Sequence, residues 1–226
     1  MLVGKWIESY FQARVQRAIP GGSLWFLASW LVSIFFHPLL IPTYIAALLF
    51  RFELLILSPD LRSAVLVFLF STSFLFPILA IGLLWAAGLL KSLSMDDKKD
   101  RLLPHLFTLL VYIGLAWFFF HYLPMIVLLG YLMAGIAVSV GITALITIYW
   151  KISSHMAGVG GLLGFQLAIF SGSNNSELLM PIIVSMLICG AVAGSRFYLR
   201  AHNWQQLGAG FLLGMVISSA TVRFFA

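Results

Sequence analysis

The stretch from Gly194 to Gly210 contains the side chains whose types and spacing best suit chemistry. It places Arg196, Arg200 and His202 between two strongly apolar segments. Cations at the edge of a membrane segment either extend to the interface or serve a function. An arginine six residues before a histidine suits a helix end and its loop, where the guanidinium binds a phosphate and the imidazole attacks phosphorus. The alternative interpretation is a basic interfacial loop anchored by Trp204.

Two further polar clusters could contribute to the same chemistry. The segment from Lys91 to Pro104 is the densest charge cluster of the chain, and it predicts either a solvated loop or a cationic wall for phosphate oxygens. The segment from Lys151 to His155 reads K-I-S-S-H and ends an apolar stretch. Two histidines from different loops allow one to act as nucleophile and the other as acid. The candidate residues of all three clusters are Lys98, Lys99, Arg101, Lys151, Ser153, Ser154, His155, Arg196, Arg200 and His202.

The elements that must position these clusters are predicted to be membrane helices. Hydrophobic residues make up 62% of the 226-residue chain and charged residues 9%, which is far from the balance of a soluble protein. We expect an all-α polytopic bundle of six to seven transmembrane helices. An amphipathic interfacial helix is predicted over residues 1–22, and a single transmembrane domain over residues 23–226.

Seven spans follow from the apolar segments of the sequence. They are predicted at 24–50, 63–90, two within 105–150, one from about residue 156, one at 178–194 and one at 207–224. Pro38 and Pro42 predict a kink in the first span, with the freed carbonyls bonded by neighbouring groups. We expect the nearby His37 to be a packed or interfacial histidine. Two crossings separate each polar cluster from the next, so all three clusters are expected on one face of the membrane.

Composition also limits the partners. A single cysteine, Cys189, excludes an intrachain disulfide and a cysteine-based zinc site. The acids expected on the face of the clusters, Glu8, Asp96, Asp97 and Asp100, form no grouping with histidine that predicts a metal site. We therefore expect side-chain chemistry with no cofactor and no metal. The excess of basic residues points to lipid head groups or an anionic substrate rather than to nucleic acid.

The order of the motifs resembles the type 2 phosphatidic acid phosphatase (PAP2) superfamily of membrane lipid phosphatases. The third motif of that family, S-R-x5-H-x3-D, is matched by Ser195, Arg196 and His202, whereas Gln206 stands in place of the aspartate. The likeness covers roughly Lys98 to Gly210, within a predicted family-like core over residues 91–226.

The other two motifs match less completely. In the second motif, P-S-G-H, Ser153 and His155 match, and Ile152 and Ser154 replace the proline and the glycine. In the first motif, K-x6-R-P, Arg101 is separated from the proline by two leucines, and a serine stands seven positions before it. Lys98 or Lys99 would supply that cation from a different backbone position.

The resemblance implies a metal-independent phosphoric ester hydrolase that works through a phosphohistidine. His202 would attack phosphorus, His155 would protonate the departing lipid alkoxide, and Gln206 would orient His202 without supplying a charge. The implied substrate is a membrane phosphomonoester or pyrophosphate such as phosphatidate, phosphatidylglycerophosphate or a polyprenyl diphosphate. The phosphate-binding set would comprise Lys98, Lys99, Arg101, Lys151, Ser153, Ser154, Ser195 and Arg196.

Two other functions stay open on the sequence. The altered first motif and Gln206 are compatible with a degenerate member that binds or transports phospholipid without hydrolysis. A haem protein is the other alternative, with ligands drawn from the histidines at 37, 105, 121, 155 and 202. The predicted spans weaken this interpretation, because they place His121 on the face opposite His155 and His202.

The orientation follows from the distribution of basic residues. Of the 13 Lys and Arg residues, Arg51, Arg62 and Arg223 fall on the face opposite the clusters. The positive-inside tendency therefore favours a cytoplasmic site in a bacterial inner membrane. Resemblance to bacterial lipid phosphatases favours the periplasmic side instead.

Overall fold

The computed structural model describes residues 22–90, 99–173 and 175–225. These residues form α-helices joined by short connections, and the described part contains no strand. The interfacial helix predicted over residues 1–22 lies, up to residue 21, outside the described residues. The helices are α1 (Gly22–Phe35), α2 (Ile41–Arg51), α3 (Pro59–Phe70), α4 (Phe76–Ala86), α5 (Lys99–Tyr122), α6 (Val127–Tyr149), α7 (Ser154–Ser173), α8 (Leu179–Tyr198) and α9 (Trp204–Phe225).

The predicted all-α polytopic bundle is confirmed. Seven helical segments of the described chain are long and apolar enough to cross a membrane. Two of them are composite: the first combines α1 and α2, and the second combines α3 and α4 through a π-helical turn at Ser71–Leu75. The segments are Leu24–Arg51, Pro59–Ala86, Asp100–Tyr122, Pro124–Tyr149, Ser154–Ser173, Ser176–Tyr198 and Trp204–Phe224.

The first span breaks where its prolines predict a kink. The residue before a proline disfavours helical geometry, and His37 adopts an extended backbone before a 3-10 turn leads into α2. The break removes the helical donors to the carbonyls of Ser33 and Phe35. His155 Nε2 lies 3.1 Å from the Ser33 oxygen, and the Tyr44 hydroxyl lies 2.6 Å from the Phe35 oxygen. Side chains thus satisfy both carbonyls.

The second span begins and ends earlier than the predicted 63–90. It runs from Pro59 to Ala86, because Ser58 caps the helix by accepting a hydrogen bond from the backbone of Leu61, with the proline at the first helical position. Its end is set by Gly88, whose positive φ of 76° permits the left-handed conformation that terminates helices. The segment predicted as a polar turn therefore contributes the first helical turn.

Helices α7 and α9 are in backbone contact along their length. A Cβ atom on Gly160 or Gly164 of α7 would overlap backbone oxygens of α9, and one on Gly214 of α9 would overlap the carbonyl oxygen of Ala157. Small residues allow this close approach between membrane helices. The contact fixes the start of α7, which carries His155, relative to the start of α9, which follows His202.

Candidate active site

A cavity of about 360 Å³ lies between the helices at the end of the bundle where α5, α7 and α9 begin. Its wall includes polar side chains from the first span, α5, α7, α8 and the loop before α9. The structure thus brings members of all three sequence clusters to one place, as the parity of the spans predicts. These polar wall residues are Ser33, His37, Arg101, His105, Ser154, His155, Arg196 and His202.

The loop between α8 and α9 holds His202 through local hydrogen bonds. Helix α8 ends at Tyr198, and Arg200, two residues later, has a positive φ. Asn203 then caps α9: its side chain accepts from the Gln206 backbone N–H, and the Gln206 side-chain oxygen accepts in return from the Asn203 N–H. This reciprocal pair is a capping box. The same Gln206 oxygen lies 3.2 Å from His202 Nδ1.

Gln206 thereby selects the tautomer of His202. Because the oxygen accepts the Asn203 N–H, it is the amide oxygen, and it bonds to His202 only if Nδ1 carries a hydrogen. A neutral ring with hydrogen on Nδ1 has a lone pair on Nε2. His202 is 7% exposed and lines the cavity. The arrangement gives an oriented imidazole whose Nε2 is suited to nucleophilic attack.

Burial and surrounding cations keep His202 neutral. Burial lowers its pKa first, and the positive charges of Arg196, Arg101 and Lys151 lower it further, from an ordinary 6.5 to about 3. The hydrogen bond to Gln206 acts in the opposite direction. At neutral pH the ring is therefore uncharged in a strongly positive environment, which suits the approach of an anionic phosphate.

His155 occupies the side of the cavity formed by the first span. Its Nε2 donates to the Ser33 carbonyl oxygen, and its ring meets that of His37 edge to face with 5.2 Å between ring centroids. Since Nε2–H is bonded to the carbonyl, Nδ1 is the nitrogen that can exchange a proton with a ligand. Arg196 lies on the same side, with Nη1 3.4 Å from the Ser33 hydroxyl.

Two histidines on the cavity wall were not among the predicted site residues. His37, which was expected only to pack or to lie at the interface, accepts the Leu39 backbone N–H through Nδ1. His105 contacts the Arg101 carbonyl through Nδ1 and lies 3.0 Å from the Ser154 hydroxyl through Nε2. The sequence did contain a signal for His105. It follows Arg101 by four residues, and residues four apart lie on the same face of a helix.

Several predicted phosphate-binding residues lie away from the described cavity wall. The Ser153 side chain is fully buried and accepts the Met156 backbone N–H at 3.4 Å. The Ser195 hydroxyl donates to the Ala191 carbonyl at 2.7 Å, one turn back along α8. Both hydroxyl oxygens thus bond to helix backbone, and the role of these two residues as phosphate ligands stays a prediction.

The three lysines of the predicted set are described to different extents. Lys151 lies close enough for its charge to act on His202, but it is not part of the described cavity wall. Lys98 lies outside the described residues, and Lys99 is described only as the first residue of α5. Arg101, expected in a loop, belongs to the first turn of that helix and is 8% exposed.

Within the described part of the chain, no three or more His, Cys, Asp and Glu side chains are grouped as a metal site would require. Comparison of the chain with protein-family models, with curated proteins and with solved structures gives no match. The motif residues and the geometry of the cavity are therefore what indicates a function.

Proposed function

We propose that the protein is a membrane lipid phosphatase that cleaves a phosphomonoester or pyrophosphate through a phosphohistidine on His202. The observation that carries this proposal is the orientation of His202 by Gln206 in a cavity whose wall includes Arg101 and Arg196. A neutral imidazole with its Nε2 lone pair available beside two guanidinium groups suits attack on a bound phosphate.

The first step transfers the phosphoryl group to the protein. His202 Nε2 forms a bond to phosphorus, and the bond from phosphorus to the lipid oxygen breaks. To act as the acid, His155 needs a second hydrogen on Nδ1, and the negative charge of the bound phosphate favours this cationic form. His155 then gives the Nδ1 hydrogen to the departing oxygen, while its Nε2–H remains bonded to the Ser33 carbonyl. Arg101 and Arg196 neutralise the charge that spreads over the phosphoryl oxygens.

The shape of the cavity supports a lipid as the substrate. Beyond its polar end, the cavity extends between α5, α6 and α9 past Tyr112, Gly135 and Thr221, with a mostly apolar wall. A concave, mostly apolar space with its charged groups at one end fits an amphiphile. The substrate class is phosphatidate, phosphatidylglycerophosphate or a polyprenyl diphosphate.

Phosphate release by the purified full-length protein tests the proposal. Each of the three lipids is supplied in detergent micelles, with and without EDTA, to the wild type and to His202→Gln. We expect EDTA-insensitive release by the wild type and loss of at least about 10⁴-fold in the variant. Release that EDTA abolishes and magnesium restores would contradict the proposal, as would an active His202→Gln protein.

Phosphate-lipid binding without hydrolysis is the second candidate, favoured by the uncharged Gln206 at the position where the resembled family has an aspartate. A glutamine oxygen orients the imidazole but carries no charge, so it stabilises a positive charge on the ring less than a carboxylate would. Saturable binding of the same lipids, with no phosphate released by the wild type, would favour this candidate.

We further propose that the site faces the cytoplasm of a bacterial inner membrane. The arginines 51, 62 and 223 are the basic residues at the opposite end of the described bundle. With seven spans, the chain end after Ala226 then lies outside the cytoplasm. An active alkaline phosphatase fused after Ala226 supports this orientation, and a fluorescent cytoplasm-only GFP fusion there contradicts it.

A further inference from the structure

His105 and Ser154 form a hydrogen-bonded pair on the cavity wall. His105 Nδ1 contacts the carbonyl oxygen of Arg101, and His105 Nε2 lies 3.0 Å from Ser154 Oγ. Because a carbonyl oxygen only accepts, Nδ1 of the neutral ring carries the hydrogen and Nε2 is an acceptor. The single hydroxyl hydrogen of Ser154 is therefore directed at His105.

Because Ser154 donates its hydrogen to His105, it can only accept a hydrogen bond from a ligand. A hydroxyl has one hydrogen and two lone pairs, and the hydrogen of Ser154 is already donated. The sequence predicts Ser154 as a donor to phosphoryl oxygens, but the structure leaves it with lone pairs for the cavity. It is therefore suited to accept a hydrogen from a water molecule while passing its own to His105.

The pair is anchored close to the nucleophile. The Ser153 backbone N–H donates to the Gln206 carbonyl at 3.2 Å, which ties the residue before Ser154 to the first turn of α9. Gly210 allows the backbone of α9 to approach Ser153, since a Cβ there would overlap the Ser153 carbonyl oxygen. Ser154, His105 and His202 consequently line the same cavity.

We propose that Ser154 and His105 together are the general base for the second step, the hydrolysis of the phosphohistidine. This inference rests on the proposed function. A water oxygen bonds to phosphorus as the bond from phosphorus to His202 Nε2 breaks. The electron pair of the broken bond returns to Nε2. The water proton passes to Ser154 Oγ, the Ser154 proton passes to His105 Nε2, and phosphate departs. His105 then returns the proton to solvent.

The chain offers matched controls for both residues. His121, at the other end of α5, makes the same contact with the carbonyl four residues before it, with Nδ1 2.9 Å from the Trp117 oxygen, but it is exposed. Ser173, at the other end of α7, donates its hydroxyl to the Ile169 carbonyl at 2.8 Å. Neither lines the cavity. Substitution of His121 and Ser173 therefore measures the effect of losing a histidine or serine that bonds to helix backbone outside the cavity.

The experiment measures formation and decay of the phosphoenzyme separately. The full-length proteins are mixed with a ³²P-labelled lipid, either phosphatidate or a polyprenyl diphosphate, whichever the wild type hydrolyses faster, and quenched in alkali at short times. For His105→Gln and Ser154→Ala we expect formation at close to the wild-type rate and decay slowed about 100-fold or more, so that labelled protein accumulates. Ser154→Thr, which keeps a hydroxyl, should decay faster than Ser154→Ala. The controls His121→Gln and Ser173→Ala should decay as the wild type does.

The other outcomes contradict the inference in distinguishable ways. Decay at the wild-type rate in both site variants would show that the pair is not the base. Loss of phosphoenzyme formation in both, with the wild type still labelled, would place the pair in the first step or in folding of the site. Absence of label on wild-type His202 while phosphate is released would instead overturn the proposed function, and this inference with it.

Discussion

The two ends of the bundle use their arginines differently. At the end opposite the cavity, Arg62 donates from Nε to the Leu57 carbonyl at 2.8 Å and from Nη1 to the Phe50 carbonyl at 3.3 Å, which closes the connection between α2 and α3. At the cavity end, Arg101 and Arg196 lie on the wall beside an oriented imidazole. The difference separates an arginine that bonds to backbone carbonyls from arginines that line a cavity, although the sequence places all three at the edges of apolar segments.

The largest expected contrast is between histidines at the two ends. His155→Ala removes the acid for the leaving group, so hydrolysis of a lipid phosphomonoester should fall about 10²- to 10⁴-fold, whereas p-nitrophenyl phosphate, with a good leaving group, should lose far less. His121→Ala, at the opposite end, should leave both rates unchanged. Equal losses on the two substrates for His155→Ala would contradict its assignment as the acid.

A second contrast compares the arginines themselves. Arg196→Ala removes a cation from the cavity wall and should lower kcat/KM about 10²-fold with little change in the melting temperature. Arg62→Ala removes two bonds to backbone carbonyls and should lower stability by about 1.5 to 3 kcal/mol with activity retained in the folded protein. If both variants lose mainly activity, or both lose mainly stability, the different roles assigned to Arg196 and Arg62 are contradicted.

A smaller effect distinguishes orientation from charge within the cavity. Gln206 both closes the capping box of α9 and bonds to His202, and glutamate fits that box position as well as glutamine does. Gln206→Glu therefore keeps the geometry and adds a charge that stabilises the imidazolium, so the rate should rise, by less than about tenfold for each unit by which the His202 pKa increases, because only part of the positive charge has developed in the transition state. The shorter Gln206→Asp is a weaker test because it also disturbs the cap. No rise with Glu, at unchanged stability, would show that orientation alone is sufficient.

The smallest effect concerns stability and pH. The unfolded chain protonates His202 near pH 6.5, but the folded protein does so only near pH 3. Below pH 6.5 the unfolded state therefore binds a proton that the folded state does not, so stability falls as the pH falls towards 3. Relative to His202→Gln, which lacks this group, the wild type should lose up to about 2 kcal/mol between pH 7.5 and 5. Parallel thermal-unfolding curves for the two proteins over this range would contradict the buried, neutral state of His202.

The sequence predicts the coarse features of the molecule because membrane helices have strong signals. Long apolar segments give seven spans, and Pro38 gives the break in the first. The parity of the spans places Arg101, His155 and His202 at one end. The start of the second span at Pro59 was missed because Ser58 is a capping signal within a segment that otherwise reads as a polar turn.

The side-chain directions within the site could not be predicted in the same way. Helix α7 is apolar on nearly all sides, so the pattern of the sequence does not show which side faces a neighbour. The sequence consequently does not show that the hydroxyls of Ser153 and Ser195 bond to helix backbone. His37 was expected to pack or to lie at the interface, and His105 was considered only as a possible haem ligand. The break in the first span and the second turn of α5 bring them to the cavity.

The central claim is that His202 becomes covalently phosphorylated during turnover, and trapping of the intermediate tests it most directly. The wild-type protein is quenched in alkali after brief reaction with ³²P-labelled lipid, and the labelled peptide is mapped. We predict a base-stable, acid-labile phosphoryl group on His202, absent from His202→Gln and present in His121→Gln. Steady release of phosphate by the wild type without label on His202, or with label on another residue, would contradict the account.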